Sequence, residues 1–128
     1  MSDLIRTMAA ASMGMNAQTS RLRVTTENIA NAETPGYRRK LVPFEQVMAG
    51  DVASVRAGRV YLDRSDLTTV HDPSHPLAGA DGTYQGSNVN LIVEIADARE
   101  AQRSYEANMR LFDQARQMAD SLLQLLRR

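Results

Sequence analysis

Apolar positions recur with a helical period at both ends of the chain and lose that period in the middle. From Asn88 to Arg128 there is neither Gly nor Pro. Within this stretch Leu91, Ala98, Tyr105, Phe112, Ala119 and Leu126 stand seven residues apart. Ala101, Asn108, Ala115 and Leu122 fall three residues after members of that series. Two interleaved seven-residue series form an a/d seam, so the pattern predicts one long helix with a single apolar stripe. Asp97, Arg99, Glu100, Arg103, Glu106, Arg110, Asp113 and Arg116 fill the other face. Glu106 and Arg110 have the spacing of an i,i+4 ion pair. A helix of about 35 residues is about 50 Å long. A chain of 128 residues cannot wrap a globule around such a stripe, so the stripe needs a second helix.

The first segment supplies a candidate. Ser2 or Asp3 can cap it. Met8, Met15, Leu22 and Ile29 stand seven apart, with Ile5, Ser12, Thr19 and Thr26 three residues before each. Three of these eight positions, Ser12, Thr19 and Thr26, are small or polar, Gly14 costs about 1 kcal/mol against Ala, and Thr25 and Thr26 weaken the helix further. Such a helix is marginal alone and gains stability by packing. Ala9, Ala11, Ser12, Gly14 and Ala17 are small enough to let another helix come close. The helix should stop near Asn31, because Pro35 forbids continuation. Thr34-Pro35-Gly36 then turns the chain into Tyr37.

Between the two lies a different texture. Val42-Pro43-Phe44, Ala53-Ser54-Val55, Arg59-Val60-Tyr61-Leu62 and Thr68-Thr69-Val70 are short, β-prone pieces punctuated by Gly50, Gly58, Gly79, Gly82 and Gly86. About fifty residues bury little core of their own, so this module should lean on the helices or on neighbouring subunits. The expected fold is mainly α with a small β module. Long terminal helices pair as an α-helical hairpin or coiled coil around an irregular β-rich insert. The expected boundaries are 1–35 and 88–128 for the two halves of the terminal-helix domain and 36–87 for the insert.

Composition changes this picture little. Fifteen basic residues balance fifteen acidic ones, which removes the electrostatic case for nucleic acid or an anionic membrane. The absence of Cys excludes disulfides, zinc–thiolate sites and cysteine catalysis. No apolar run approaches the ~20 residues of a membrane span, and Asp3, Arg6, Thr7 and Ser12 interrupt any signal-peptide core.

Candidate chemistry is thin. His71, Asp72 and His75 are the one cluster resembling metal ligands, but Pro73 and Pro76 prevent a helix there and no third strong ligand adjoins. A rigid loop of Asx and proline turns is the better reading. Arg38-Arg39-Lys40 reads as a solvated strand end rather than a phosphate site. No catalytic residue, metal, cofactor or small-molecule substrate is expected. Asn28, Asn31, Asn88, Asn90 and Asn108 stand out, because Asn is a poor helix or interface filler unless its amide is paired. Asn108 lies on the seam, where a buried Asn can fix register.

The stretch from Asn28 to Tyr37, Asn-Ile-Ala-Asn-Ala-Glu-Thr-Pro-Gly-Tyr, resembles the N-terminal motif of the bacterial flagellar axial proteins, the rod, hook and hook–filament junction family. Asp72-Pro73-Ser74-His75-Pro76, Asn88-Val89-Asn90 and Ser104-Tyr105-Glu106-Ala107-Asn108 are similar to segments of its proximal rod proteins. The motif residues are therefore Asn28, Asn31, Thr34, Pro35, Gly36, Tyr37, His75, Pro76, Asn88, Asn90 and Glu106. The compact Thr34–Tyr37 turn, and Gly86-Ser87 where such proteins usually carry Pro, leave a neighbouring rod protein as an alternative. A coiled-coil adaptor binding a partner helix is another.

The resemblance implies a structural, non-enzymatic subunit of the basal-body rod. It implies export without a cleaved signal by the flagellar type III apparatus and assembly in the periplasm. The implied partners are other copies of the chain, the other rod proteins and the base of the rod, and the implied task is carrying motor torque to the hook in swimming. Met8, Met15, Leu22, Ile29, Ala98, Ala101, Tyr105, Asn108, Phe112, Ala115 and Leu122 are the expected assembly interface, with Tyr105 and Phe112 as its anchors.

Overall fold

A computed structural model describes residues 2–127. Two helices, α1 (Ser2–Ala30) and α2 (Leu91–Leu126), are joined by six short strands: β1 (Lys40–Leu41), β2 (Phe44–Ala49), β3 (Val52–Ala57), β4 (Tyr61–Leu62), β5 (Thr69–His71) and β6 (Thr83–Gln85). The strands form three separate antiparallel pairs, β1 with β4, β2 with β3 and β5 with β6. The chain is thus mainly helical with a small β module.

The helices run antiparallel and pack against each other along most of their length. Gly14 faces Asn108, and fourteen residues further along α1, Asn28 meets Glu94. On α2 the buried or half-buried positions from Ala98 to Ala119 follow the expected seven-residue series. Its ends do not. Leu91, Leu122 and Leu126 are 44%, 41% and 79% exposed.

On α1 the expected seam is turned. Ile5, Thr19 and Thr26 point outward, and the two Thr hydroxyls donate to Met15 O and Leu22 O one turn back. Met8, Met15, Leu22 and Ile29 ride the flank, half-buried. The buried positions are Ala11, Ala17, Val24, Thr25 and Asn28. The reason is spacing between axes. The α2 stripe is built on Ala101, Ala115 and Ala119, and a helix can close on alanines only through small residues of its own. Gly14 serves this end: a Cβ there would stand 2.7 Å from Asn108 Oδ1. It is a notch for Asn108 rather than a defect.

Asn31 ends α1, and Tyr37 N donates to Thr34 O at 3.1 Å across a turn in which Gly36 takes φ +76°. Only Gly accepts that conformation readily. The β2–β3 hairpin closes on Gly50-Asp51, flanked by the Ala49–Val52 pair, with Gly50 at φ +67° as a two-residue hairpin turn prefers. Strand β3 packs on α1, and Arg6 reaches Asp51 at the tip, 3.4 Å away. Here the strand expectations need correction. Val42 and Pro43 lie between strands, most of β2 was unforeseen, and β6 was missed. β2 is exposed almost throughout, so it carries no buried-face alternation to read.

Candidate assembly surface and the polar clasp behind it

The largest fully buried side chains among the described residues are Glu94 and Asn28. They sit where α1 ends, α2 begins and the Arg38–Lys40 segment crosses between them. The Asn28 amide nitrogen donates to Lys40 O at 2.9 Å and to Glu94 Oε2 at 3.3 Å. Its carbonyl oxygen accepts from Lys40 N at 2.9 Å and from the Tyr37 hydroxyl at 2.8 Å. Both ends of the amide are satisfied, which is what a buried Asn requires.

The other Glu94 oxygen accepts from Arg39 Nε. The same guanidinium donates to Asp97 Oδ2 at 3.1 Å, and Arg21 of α1 reaches Asp97 and Glu100, both at 3.4 Å. Arg39 N donates to Asn88 Oδ1 at 2.6 Å, and Asn88 Nδ2 donates to Asp63 O at 3.0 Å. Asn90 caps α2, accepting from Ile92 N and Val93 N at 3.0 and 3.4 Å. Asn31 donates to Glu27 O and accepts from Thr34 Oγ1. Burial pushes the Tyr37 phenol above its usual range, opposed by the nearby Lys40 ammonium. The hydrogen bond to Glu27 raises Lys40, and its charge adds to this.

The motif residues from Asn28 to Tyr37, with Asn88 and Asn90, thus hold the open end of the helical hairpin to the β module. Arg39 belongs to the clasp and is no solvated strand end. Glu94 went unread, although it stands seven residues before Ala101 on the Ala101–Asn108–Ala115 series; a charge on an apolar series is the signal. His75 stacks on Tyr84 with ring centroids 4.0 Å apart and accepts from Leu77 N at Nδ1. Pro76 follows it in the same loop, whereas His71 is exposed in β5. Glu106 is half-buried on α2 and, among the described residues, makes no ion pair with Arg110; the surface pair within α2 is Arg116–Asp113 at 3.8 Å.

Most of the expected interface residues lie along the contact between the two helices of the chain, whereas Leu122 is exposed. Ala98, Ala101, Tyr105, Asn108, Phe112 and Ala115 lie on the α2 face turned toward α1 of the same chain, and Met8, Met15, Leu22 and Ile29 flank it. Tyr105 and Phe112 are half-buried; the fully buried apolar residues are Ala11, Ala17, Val24, Ala101, Ala115 and Ala119. The bulky aliphatics lie outside. Leu111 and Met118, 45% and 53% exposed, stand seven apart on an α2 flank that continues to Leu122 and Leu125. This third series is visible in the sequence but is masked by the two more continuous ones. At the other end of α2, Ile92 and Ile95 are 80% and 44% exposed. Among the described residues no helix is long and apolar enough to cross a membrane.

Two family models match the helical ends. Residues 8–38 match the flagella basal body rod protein family, and residues 80–125 match the C-terminal region of the flagellar basal body rod FlgEFG proteins. The flagellar basal-body rod protein FlgC of Agrobacterium fabrum is 40% identical over 126 residues, covering 91% of both chains. The chain belongs to the FlgC family of flagellar basal-body rod proteins. FlgC of Borreliella burgdorferi is 30% identical over 148 residues, covering 96% of this chain and 97% of its own. FlgC of Salmonella typhimurium is 31% identical over 116 residues, covering 84% and 87%. The chain is accordingly a structural subunit of the basal-body rod. The two matched segments coincide with α1 plus its turn and with the approach to α2 plus α2 itself. The segments shared with the rod-protein family models are therefore the two helices and the turns beside them.

Proposed function

We propose that this chain polymerises in the periplasm, with copies of itself and with other rod proteins, into the helical shaft that carries motor torque to the hook. It reaches that site through the flagellar type III apparatus without a cleaved signal, and it has no catalytic role. In this reading the inner seam is spent on holding the subunit together, and the outer apolar flank of α2 meets the neighbours. Domain roles follow: 1–35 and 88–128 build the shaft wall, and 36–87 braces it.

One observation carries the reading. The buried apolar core is five alanines and Val24 beside a polar clasp, while eleven large apolar side chains of α2 are exposed. Such a surface is unusual for a monomer and marks an interaction face. Leu111→Glu combined with Met118→Glu should leave helix content and export unchanged and remove the chain from isolated basal bodies, abolishing swimming. Normal rods in that variant would contradict the reading.

A further inference from the structure

The seam between the two helices has little apolar relief to hold it to one alignment. Among the described residues of α2, Ala101, Ala115 and Ala119 are the buried apolar ones. Ala101 and Ala115 stand one heptad either side of Asn108. Sliding α2 by seven residues would set an alanine against Gly14 in place of Asn108 and change little apolar contact. Three polar contacts break this degeneracy. Gly14 leaves room for Asn108, whose Oδ1 would lie 2.7 Å from a Cβ there. Arg21 bridges Asp97 and Glu100, both at 3.4 Å. Asn28 donates to Glu94 Oε2 at 3.3 Å, and both side chains are buried. Gly14, Arg21 and Asn28 are spaced seven apart along α1. Asn108 and Glu94 are fourteen apart along α2, with the two partners of Arg21 between them.

We infer that these three contacts, one per heptad, are register marks that fix the alignment of the α1–α2 hairpin. A slip of one heptad in one direction brings Asn108 against Thr7 and carries Asn28 past the start of α2. The opposite slip brings Asn108 against Arg21, sets Asn28 against Ala101 and carries Glu94 past the end of α1. Either way Asn108 loses its notch and the buried Asn28–Glu94 contact is parted. Polar groups stranded in an apolar seam oppose the slip, as a single seam Asn does in a coiled coil. The alanines supply adhesion and the marks supply alignment. Alignment in turn sets where Leu111 and Met118 stand along α1, because a one-heptad slip shifts them by about 10 Å. The device acts within one chain, whether or not that chain polymerises.

The chain has no Cys of its own, so spin labels can be placed through Thr19→Cys and Gln117→Cys, both at exposed positions. Double electron–electron resonance on the full-length free chain then reads their separation. In the native register the labels stand about 21 Å apart along the helix axis. Thr7→Gly with Gly14→Ala moves the notch by one heptad, and Asn28→Ala removes the third mark. In the register slipped by one heptad, Asn108 meets the new notch and Glu94 meets Arg21. The triple variant should therefore show a main population with the axial separation about 10 Å longer. Asn28→Ala alone should keep the native separation, because two marks remain. A triple variant with wild-type helix content and only the native separation overturns the inference, and so does a slip in Asn28→Ala alone. Should the triple variant lose its helices, Arg21→Ala with Asn108→Ala decides, since it strands no buried group. A second population about 10 Å away along the axis is expected there, and the native separation alone overturns the inference.

Discussion

The position most instructive at the residue scale is Gly14. In an isolated helix it is a liability, and Ala there would gain about 1 kcal/mol. In the folded chain its missing Cβ makes room for Asn108, whose Nδ2 is tied to Ser104 O at 2.9 Å. Gly14→Ala should therefore destabilise the chain, because overpacking costs about 1–3 kcal/mol and exceeds the helical gain. In an Asn108→Ala background the same substitution should stabilise by about 1 kcal/mol. Urea unfolding of the four chains in that cycle gives the sign directly, and a destabilising Gly14→Ala in both backgrounds would refute the notch.

Glu94 makes the complementary case. It is 1% exposed and shared between Arg39 and Asn28. Removing one partner of a buried pair typically costs about 3–5 kcal/mol, while replacing both by apolar residues is often neutral. Glu94→Gln should sit at the low end, about 3 kcal/mol, since Arg39 keeps Asp97. Glu94→Met with Arg39→Met should be closer to wild type than Glu94→Gln, by the shift in urea midpoint. Both positions show what a linear pattern hides. Gly14 and Asn108 were each visible as odd residues, but that one answers the other depends on the register between two helices, which no single-helix period contains.

Among the elements, α2 was legible and α1 only half so. The α2 stripe is continuous and its neighbours are charged, so one rotation of the helix satisfies the pattern. On α1 the larger apolar residues form a regular series on the flank, and the contact surface is small and polar. Hydrophobicity ranked the wrong face because close approach, rather than apolar bulk, decided the packing. The β module was foreseen as irregular and leaning on a helix, but its strands are too exposed to betray their limits.

The β5–β6 arm offers a test at this scale. Ser74 holds the Asp72 carboxyl below its ordinary 3.8, and Thr83 does the same for Asp81, both chiefly through side-chain hydrogen bonds. A depressed acid contributes its stabilisation above the unfolded value and loses it as pH falls through the folded one. Amide protection of Ser74 and Thr83 should thus hold from neutral pH down to about pH 4 and fall below it. In the same arm His75→Ala should loosen the loop by removing the stack on Tyr84, whereas exposed His71→Ala should be silent. The stack acts beside the Asx and proline turns that shape the segment.

Across the whole molecule, one face of α2 packs on α1 of the same chain, and its other flank carries exposed large apolar side chains. The helical hairpin was legible in the sequence; the sequence expectation puts the assembly contact on the inner face and the function proposed here puts it on the outer one, because period alone cannot tell an intramolecular partner from an intermolecular one. The methionines separate the two possibilities. Met8 and Met15 lie half-buried beside the seam, while Met118 is 53% exposed on the outer flank. Oxidation of the thioethers by hydroxyl radical, read by mass spectrometry on free chain and on isolated rods, compares them in one experiment. Assembly should slow labelling of Met118 at least several-fold and leave Met8 and Met15 as slow as in the free chain. Strong protection of Met8 and Met15 on assembly, with Met118 still reactive, would mean that the helices part and pair between copies, and would contradict the proposed outer contact.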